Sequence, residues 1–500
     1  MLTLKNKLKE TMSNFANCDA LYVNKQTISY EQLHNMSLFV ASLLPQAATQ
    51  KADRIALLSH RELTAYAAII ACVMTDKTYV PLNVKAPIER LVSMLLTAQI
   101  NTLVVSAQYQ HLAQEIKTHL PVLELILLEE SVLFQNASNN ITVIKTAENL
   151  SNNIRYIMFT SGSTGKPKGV PISEGNLLAY LDFVVPYCAL SADDRASQTF
   201  DLTFDLSVHD LFVTWLSGAC LYVLPESALF SPGAFIKKHQ LTAWFSVPST
   251  GAIMQKFGML KAHAYPSLKL SLFCGEALPT SMALAWQKSA PHSKVVNFYG
   301  PTEATIACGY FELPDDYTEQ QVVPIGKAFD HMSFACSSSE ELLIAGAQVT
   351  SGYLEATAEM NENFQEVITE QGKTVTWYHS GDKVTQHEEG YFIYKGRLDE
   401  QIKIQGYRVE LPEIEAIAKA FLKNNLVKAL VWPKDISSFN KSIFLFVQAS
   451  KSEDTEQAII EHMKNQLPHY MQPKKIIWLA SMPLNLNGKI DRNALRAMLE

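Results

Sequence analysis

Short β-branched and aromatic runs alternate with longer amphipathic stretches over most of residues 20–350. Thr102–Ser106 (TLVVS), Val122–Leu128 (VLELILL), Tyr156–Thr160 (YIMFT), Ala219–Leu224 (ACLYVL), Leu270–Cys274 (LSLFC) and Lys294–Phe298 (KVVNF) have strand length and strand residues. Stretches with helical period separate several of them, the alternation that builds parallel sheets covered by helices. Another strand pattern, Tyr391–Tyr394, runs into a polar break at Gly396-Arg397-Leu398-Asp399. Beyond it the order is strand (Gln401–Ile404), helix (Glu413–Phe421), strand (Ser442–Gln448), helix (Thr455–Gln466), strand (Lys475–Ala480). The pattern predicts an α/β chain with a large N-terminal region, 1–397, of parallel and mixed sheets under helices. A small α+β C-terminal domain, 398–500, follows, with Asp399 near the joint. No internal repeat or low-complexity tract interrupts it.

Composition narrows the classes of function. Of 500 residues 48% are hydrophobic and 18% charged, enough to bury large cores and too apolar for a disordered chain. The net charge of −7 lacks the basic surplus of a dedicated nucleic-acid binder. The charge is uneven: residues 401–500 carry +4 and residues 1–400 carry −11. A basic last hundred residues suits nucleotide phosphates or an acidic partner, although ordinary surface charge accounts for most of those lysines. Seven widely spaced cysteines without a CxxC pair fit reduced thiols in a cytoplasmic compartment. The N-terminus reads as a charged helix start without a signal-peptide core, and the longest apolar run, Ala65–Met74, is too short for a membrane span.

The strongest local signal is TSGSTGKPKG, Thr160–Gly169, directly after an apolar strand. Three glycines let the backbone curl into a nest of N–H groups for anionic oxygens, and hydroxyls and two lysines add donors and charge. It is not a Walker A loop, since Thr160 and Pro167 stand where that pattern wants Gly and Ser/Thr, and there is no GxGxxG.

TSGSTGKPKGV resembles the phosphate-binding signature of the adenylate-forming superfamily, which includes acyl-CoA synthetases, luciferases and nonribosomal adenylation domains. Five further segments match in order: NFYGPTE (Asn297–Glu303), ELLIAG with Gly352-Tyr353, YHSGD (Tyr378–Asp382, with Ser380 where Thr is usual), GRLDEQIKIQGYRVE (Gly396–Glu410) and PLNLNGK (Pro483–Lys489). The resemblance covers nearly the whole chain. It implies ATP and Mg2+ as cofactors, and a mobile small domain rotating about Asp399. It places Thr160, Ser161, Gly162, Ser163, Thr164, Gly165, Lys166 and Lys168 on the phosphates. Gly275, Glu276, Asn297, Phe298, Tyr299 and Gly300 would line the adenine site, Thr302 the α-phosphate, and Asp382 and Arg397 the ribose. Glu303 would hold magnesium; as an alternative it caps a helix. Lys489 would bring an ammonium to the α-phosphate and the attacking carboxylate, where charge builds in the transition state; the plain alternative is a surface lysine. Gly406 would line a pantetheine tunnel.

The substrate class is carried by FDLTFDLSVHDLF, Phe200–Phe212. It is similar to the adenylation-domain segment whose aspartate, here Asp205, pairs with a substrate α-ammonium. A buried aspartate is costly without such a partner, although the same residue could cap a helix. The other pocket positions carried over are Leu206, His209, Ser246, Leu272, Cys274, Phe298, Ile306 and Ala307. The Phe298 ring should fill the pocket floor and restrict it to a small amino acid. LFCGEALP (Leu272–Pro279) and FDLS (Phe204–Ser207) resemble D-alanine–carrier-protein ligases most, with Cys274 crowding the α-carbon. His209, Leu272 and Phe298 depart from that pattern and leave the amino acid open, with proline-activating enzymes the nearest competitor. Only eleven residues follow Lys489, so transfer to the phosphopantetheine thiol of a separate acyl or peptidyl carrier protein is expected. The rival readings are an acyl-CoA ligase for a small carboxylic acid and a non-catalytic relative, the latter opposed by intact Lys489, Glu303 and Asp382.

Overall fold

Hydrophobic runs separated by helical stretches become two large sheets in the computed structural model. It describes residues 3–45, 54–139, 154–162, 167–315, 317, 320–368, 372, 374–404, 406–423, 425–433, 435, 438, 441–485 and 490–500. One sheet runs Glu124–Leu128, Thr102–Ser106, Arg54–Leu58, Thr78–Leu82, Ile154–Thr160, Lys168–Ser173. All its neighbours are parallel except the last pair, a hairpin that spans the glycine-rich loop. The other has a parallel centre of Asp19–Val23, Cys220–Val223, Arg195–Gln198, Ala243–Ser246, Leu270–Phe273 and Lys294–Tyr299, with antiparallel strands at both edges. Parallel strands buried on both faces explain why these segments read as continuous apolar runs. The run Ala65–Met74 lies in the helix Leu63–Met74, buried all round in the main core. Among the described residues no helix is long and apolar enough to cross a membrane.

An antiparallel sheet of Met332–Cys336, Glu341–Gly346, Thr374–Gln386, Phe364–Ile368 and Phe392–Arg397 follows. Its last strand continues through Gly396-Arg397, where a polar break was expected, because both residues pair with the strand carrying Asp382. After Asp399 the hairpin Gln401–Ile404/Tyr407–Glu410 leads into a smaller α+β unit with its own apolar clusters. Three strands, Val427–Trp432, Ser442–Gln448 and Lys475–Leu479, pack there with the helices Leu411–Phe421 and Glu453–Gln466. The hairpin reaches back to the large sheets and closes over one cleft.

Candidate active site

The strand ends and the hairpin enclose a cavity of about 100 Å3, lined by Thr160, Ser161, Asp205, Leu206, Cys274, Gly300, Thr302, Ile306, Gly406 and Arg408, among others. It shares Gly275, Gly300, Asp382, Arg397, Gln401 and Lys403 with a larger cleft of about 420 Å3. Gly300 is required by close approach: a Cβ there would lie 2.5 Å from Cα of Ala307.

Asp205 stands at the start of the helix Leu206–Leu216, yet its side chain makes no cap hydrogen bond. Its Oδ2 is buried without a partner, and burial raises the carboxyl to about 6, opposed by the Thr302 hydroxyl and the Lys403 charge. A helix-capping role would have used that oxygen. Cys274 closes the same cavity, its thiol pushed up to about 12 by burial.

Glu303 is fully buried on the single turn Thr302–Ala304. Both its oxygens accept from Arg408 of the hairpin, at 2.7 and 2.8 Å, and Oε1 also accepts from the Tyr353 hydroxyl at 2.7 Å. Burial, the largest single influence, would raise this carboxyl; the Arg408 charge together with the hydrogen bonds from Tyr353, Arg408 and the backbone outweighs it and holds the group below the usual range. Lys168 lies over the Tyr353 ring, 5.1 Å from its centroid. Ser161 donates to the Arg408 carbonyl at 2.8 Å.

The turn that bears Glu303 continues through Thr305 and Ile306 at φ of 57° and 71°. Two β-branched residues in the left-handed region mark a strained backbone. Gln348, wholly buried, holds it: its amide nitrogen donates to the carbonyls of Ala304, Thr305 and Ala307 at 3.0, 3.1 and 2.7 Å.

On the other wall, Asp382 accepts from Tyr299 at 2.5 Å and from Arg397 at 2.9 Å. Arg397 also grips Asp399 through two nitrogens. The Asn297 amide donates to the carbonyls of Val323 and Pro324, while its oxygen is buried without a partner. Glu276 holds the hairpin: one oxygen accepts from Gly406 N–H at 2.8 Å and the other from Ser249 N–H at 2.9 Å.

The structure therefore gathers Thr160, Ser161, Asp205, Leu206, Cys274, Gly275, Gly300, Thr302, Ile306, Asp382, Arg397 and Gly406 around one cavity. Glu276, Asn297, Phe298, Tyr299 and Asp399 line the adjoining cleft. His209, Ser246, Leu272 and Ala307 are buried but do not line the smaller cavity, and Lys168 is turned to Tyr353. Gly162 is buried just beyond the strand Ile154–Thr160. Ser163, Thr164, Gly165, Lys166 and Lys489 lie outside the described residues. Gln348, Tyr353 and Arg408 were not singled out as site residues. Tyr353 and Arg408 lie inside quoted motifs, whereas nothing local marks Gln348.

The carboxylate of Glu303 is a hard oxygen donor, and among the described residues no cluster of three or more His, Cys, Asp or Glu could hold a metal alone. Both Glu303 oxygens are taken by Arg408 in this arrangement, so a magnesium ion, which needs only one or two carboxylates beside waters and substrate phosphates, could share Glu303 only once Arg408 has withdrawn.

Antiparallel strands on either side of the glycine-rich segment, a buried carboxylate turn and a hairpin closing from a small second unit define an adenylate-forming ligase that uses ATP. The chain belongs to the AMP-binding enzyme family, whose model matches residues 8–354. It is 28% identical to the L-proline–[L-prolyl-carrier protein] ligase of Pseudomonas fluorescens, over the full length of both chains. It is likewise 28% identical to the D-alanine–D-alanyl carrier protein ligase of Bacillus licheniformis, covering 98% of this chain and 99% of that one. The Vibrio cholerae adenylation domain AlmE, solved in complex with glycyl-adenosine-5'-phosphate, superposes with a TM-score of 0.85 at 32% identity, over 99% of this chain and 97% of that one.

Proposed function

We propose that this ligase activates a small α-amino acid, D-alanine or glycine, as its aminoacyl-adenylate and passes the acyl group to the phosphopantetheine thiol of a carrier protein. The observation that carries the reading is the unpartnered Oδ2 of Asp205, a buried carboxylate in a cavity of about 100 Å3. Such a group is stable as a charge only beside a cation, and an α-ammonium supplies one. Leu206, Cys274 and Ile306 line the same small cavity, which favours a short substrate side chain. The relatives' names support both amino acids and the carrier: two act on carrier proteins, and AlmE was captured with a glycyl-adenylate.

In adenylation a substrate carboxylate oxygen attacks the α-phosphorus of ATP, and pyrophosphate leaves with the bridging oxygen. The chain supplies position and charge. The loop from Thr160 to Lys168 cradles the phosphates, Thr302 meets the α-phosphate, and Asp382 with Arg397 holds the ribose. Lys489 neutralises the charge that develops between carboxylate and phosphorus. A magnesium ion held by Glu303 would offset phosphate charge. In transfer the thiol sulfur attacks the acyl carbon and AMP leaves, with the hairpin around Gly406 lining the thiol's path. Arg408 on both Glu303 oxygens and Gly406 at the cavity suit this second step.

The test is amino-acid-dependent ATP–pyrophosphate exchange across L- and D-amino acids, glycine, acetate and propionate. Glycine or D-alanine should drive exchange, L-proline and larger residues weakly. Exchange with acetate or propionate alone would show instead an acyl-CoA ligase.

A further inference from the structure

The turn Thr302–Ala304 and the two residues after it carry several parts of the site at once. Thr302 and Ile306 line the substrate cavity, and Glu303 between them bears the buried carboxylate. A backbone that does not hold itself sets their relative places. Thr305 at φ 57° and ψ 83° and Ile306 at φ 71° are β-branched residues in the left-handed region. Released, such a turn relaxes toward negative φ and carries Ile306 and Glu303 with it.

The restraint comes from the segment 346–354. Leu354 N–H donates to the Gly169 carbonyl and Thr350 N–H to the Glu303 carbonyl, both at 2.9 Å, so the segment ties the strand after the phosphate loop to the turn. Within it, the amide nitrogen of Gln348 faces the three carbonyls of Ala304, Thr305 and Ala307, and the Thr305 hydroxyl donates back to the Gln348 carbonyl at 2.6 Å. Carbonyls only accept, so the amide cannot turn over without setting its own oxygen against them. That oxygen therefore faces His331 Nε2, 2.7 Å away, and this ring nitrogen must carry the proton. An amide committed at both ends has one orientation, and it gives one to the turn it holds.

We propose that Gln348, oriented by His331, is a positioning residue for adenylation: it holds the left-handed turn that sets the substrate wall at Ile306 against the phosphate side at Thr302 and Glu303. The inference rests on the reading above and deepens it. Gln348 does not line the substrate cavity and acts only through the turn. Without its amide three carbonyls lose a donor, and nothing opposes the relaxation of Thr305 and Ile306.

The experiment is ATP–pyrophosphate exchange by the full chain with glycine and D-alanine, alongside thermal melting and adenosine binding. Gln348→Leu should lower kcat about ten- to a hundredfold and raise KM for the amino acid. The Kd for adenosine should not change, because Tyr299 and Arg397 hold Asp382 independently of the turn. A residue that only held the fold together would lower Tm and leave the kinetics of the folded enzyme alone. Thr305→Gly lets the turn adopt its φ of 57° without a clamp. In that background Gln348→Leu should therefore lower kcat by about threefold or less. If Gln348→Leu does not fold, His331→Ala, which removes the partner of the amide oxygen, should give the same split at about three- to tenfold. A lowered Tm with wild-type kcat and KM, an adenosine Kd that weakens as much as kcat falls, or fully additive effects of Gln348→Leu and Thr305→Gly overturn the inference. A wild-type enzyme that exchanges with acetate and with no amino acid overturns the amino-acid reading instead, and the same variants assayed with acetate still decide the clamp.

Discussion

Asp205 is the residue at which stability and function pull in opposite directions. Its carboxyl is raised from 3.8 to about 6 by burial, so protonation favours the folded state. The cost of the buried charge is absent below the unfolded value, grows as pH rises from 3.8 to 6, and is complete above that. Asp205→Asn should therefore stabilise the ligand-free protein at about pH 8, by about 3 kcal/mol on a linkage argument, and hardly at all at about pH 4. Thermal melting at the two pH values measures this. The same variant should lose the stabilisation that glycine or D-alanine gives the wild type, and its exchange activity. A variant that melts lower at both pH values would mean that the carboxylate holds the fold together. Wild-type affinity for the amino acid should fall as pH drops through about 6, because the ammonium needs the ionised carboxylate.

Among the elements, the hairpin Gln401–Glu410 is the one that brings the small unit onto the site, and in the proposed reaction its placement would select the step. It is held by Glu276 on Gly406 N–H, by Ser161 on the Arg408 carbonyl and by Arg408 on Glu303. Gly406 has φ of 82°, and a Cβ there would meet Val247 Cγ1 at 2.6 Å. Gly406→Ala should therefore unseat the hairpin tip while leaving the nucleotide walls intact. The expected pattern is adenylate formation within a few-fold of wild type and transfer from preformed adenylate to a carrier thiol slowed at least tenfold, since an ångström-scale misplacement costs up to about a hundredfold. Single-turnover assays of each half-reaction separate the two. Equal loss of both would place the hairpin in adenylation as well.

Across the whole molecule, the small unit is tied to the large region by a remote ion pair as well as at the site. Arg90, on the helix Ile88–Thr97, meets Glu413, on the helix Leu411–Phe421, at 2.5 Å, and the Glu413 side chain is fully buried. Breaking a buried pair leaves an uncompensated charge, at about 3–5 kcal/mol, whereas an exposed pair is worth little. Arg90→Leu should thus weaken this arrangement of the two parts and slow thiol transfer more than adenylation. Limited proteolysis near Asp399 should speed up. The reciprocal exchange Arg90→Glu with Glu413→Arg should recover part of the loss; failure of both the loss and the recovery would show that the pair is incidental to docking.

The sequence by itself determined what is local. Strand runs such as TLVVS and LSLFC lie where their β-branched and apolar residues predict, because parallel strands buried on both faces need little context. The phosphate loop is contiguous and announces itself by composition, and the NFYGPTE turn and the YHSGD strand, equally contiguous, are legible through their resemblance to the family's motifs. Tertiary structure alone decided the pairings between distant segments. Gln348 clamps Thr305 from 43 residues away, Arg408 reaches Glu303 across 105, and Tyr180 holds His209 across 29. A single amide, guanidinium or phenol has no local pattern to mark it. Phe298, expected on the floor of the substrate pocket, packs against His209, Phe245 and Phe329 and lines the larger cleft, contacts that its sequence position did not announce. The orphaned oxygen of Asp205 was equally invisible, since a helix-capping aspartate and an ammonium-binding one are the same residue at the same position. Only the packed surroundings, with Oδ2 left unpartnered and a cavity in front, separate them.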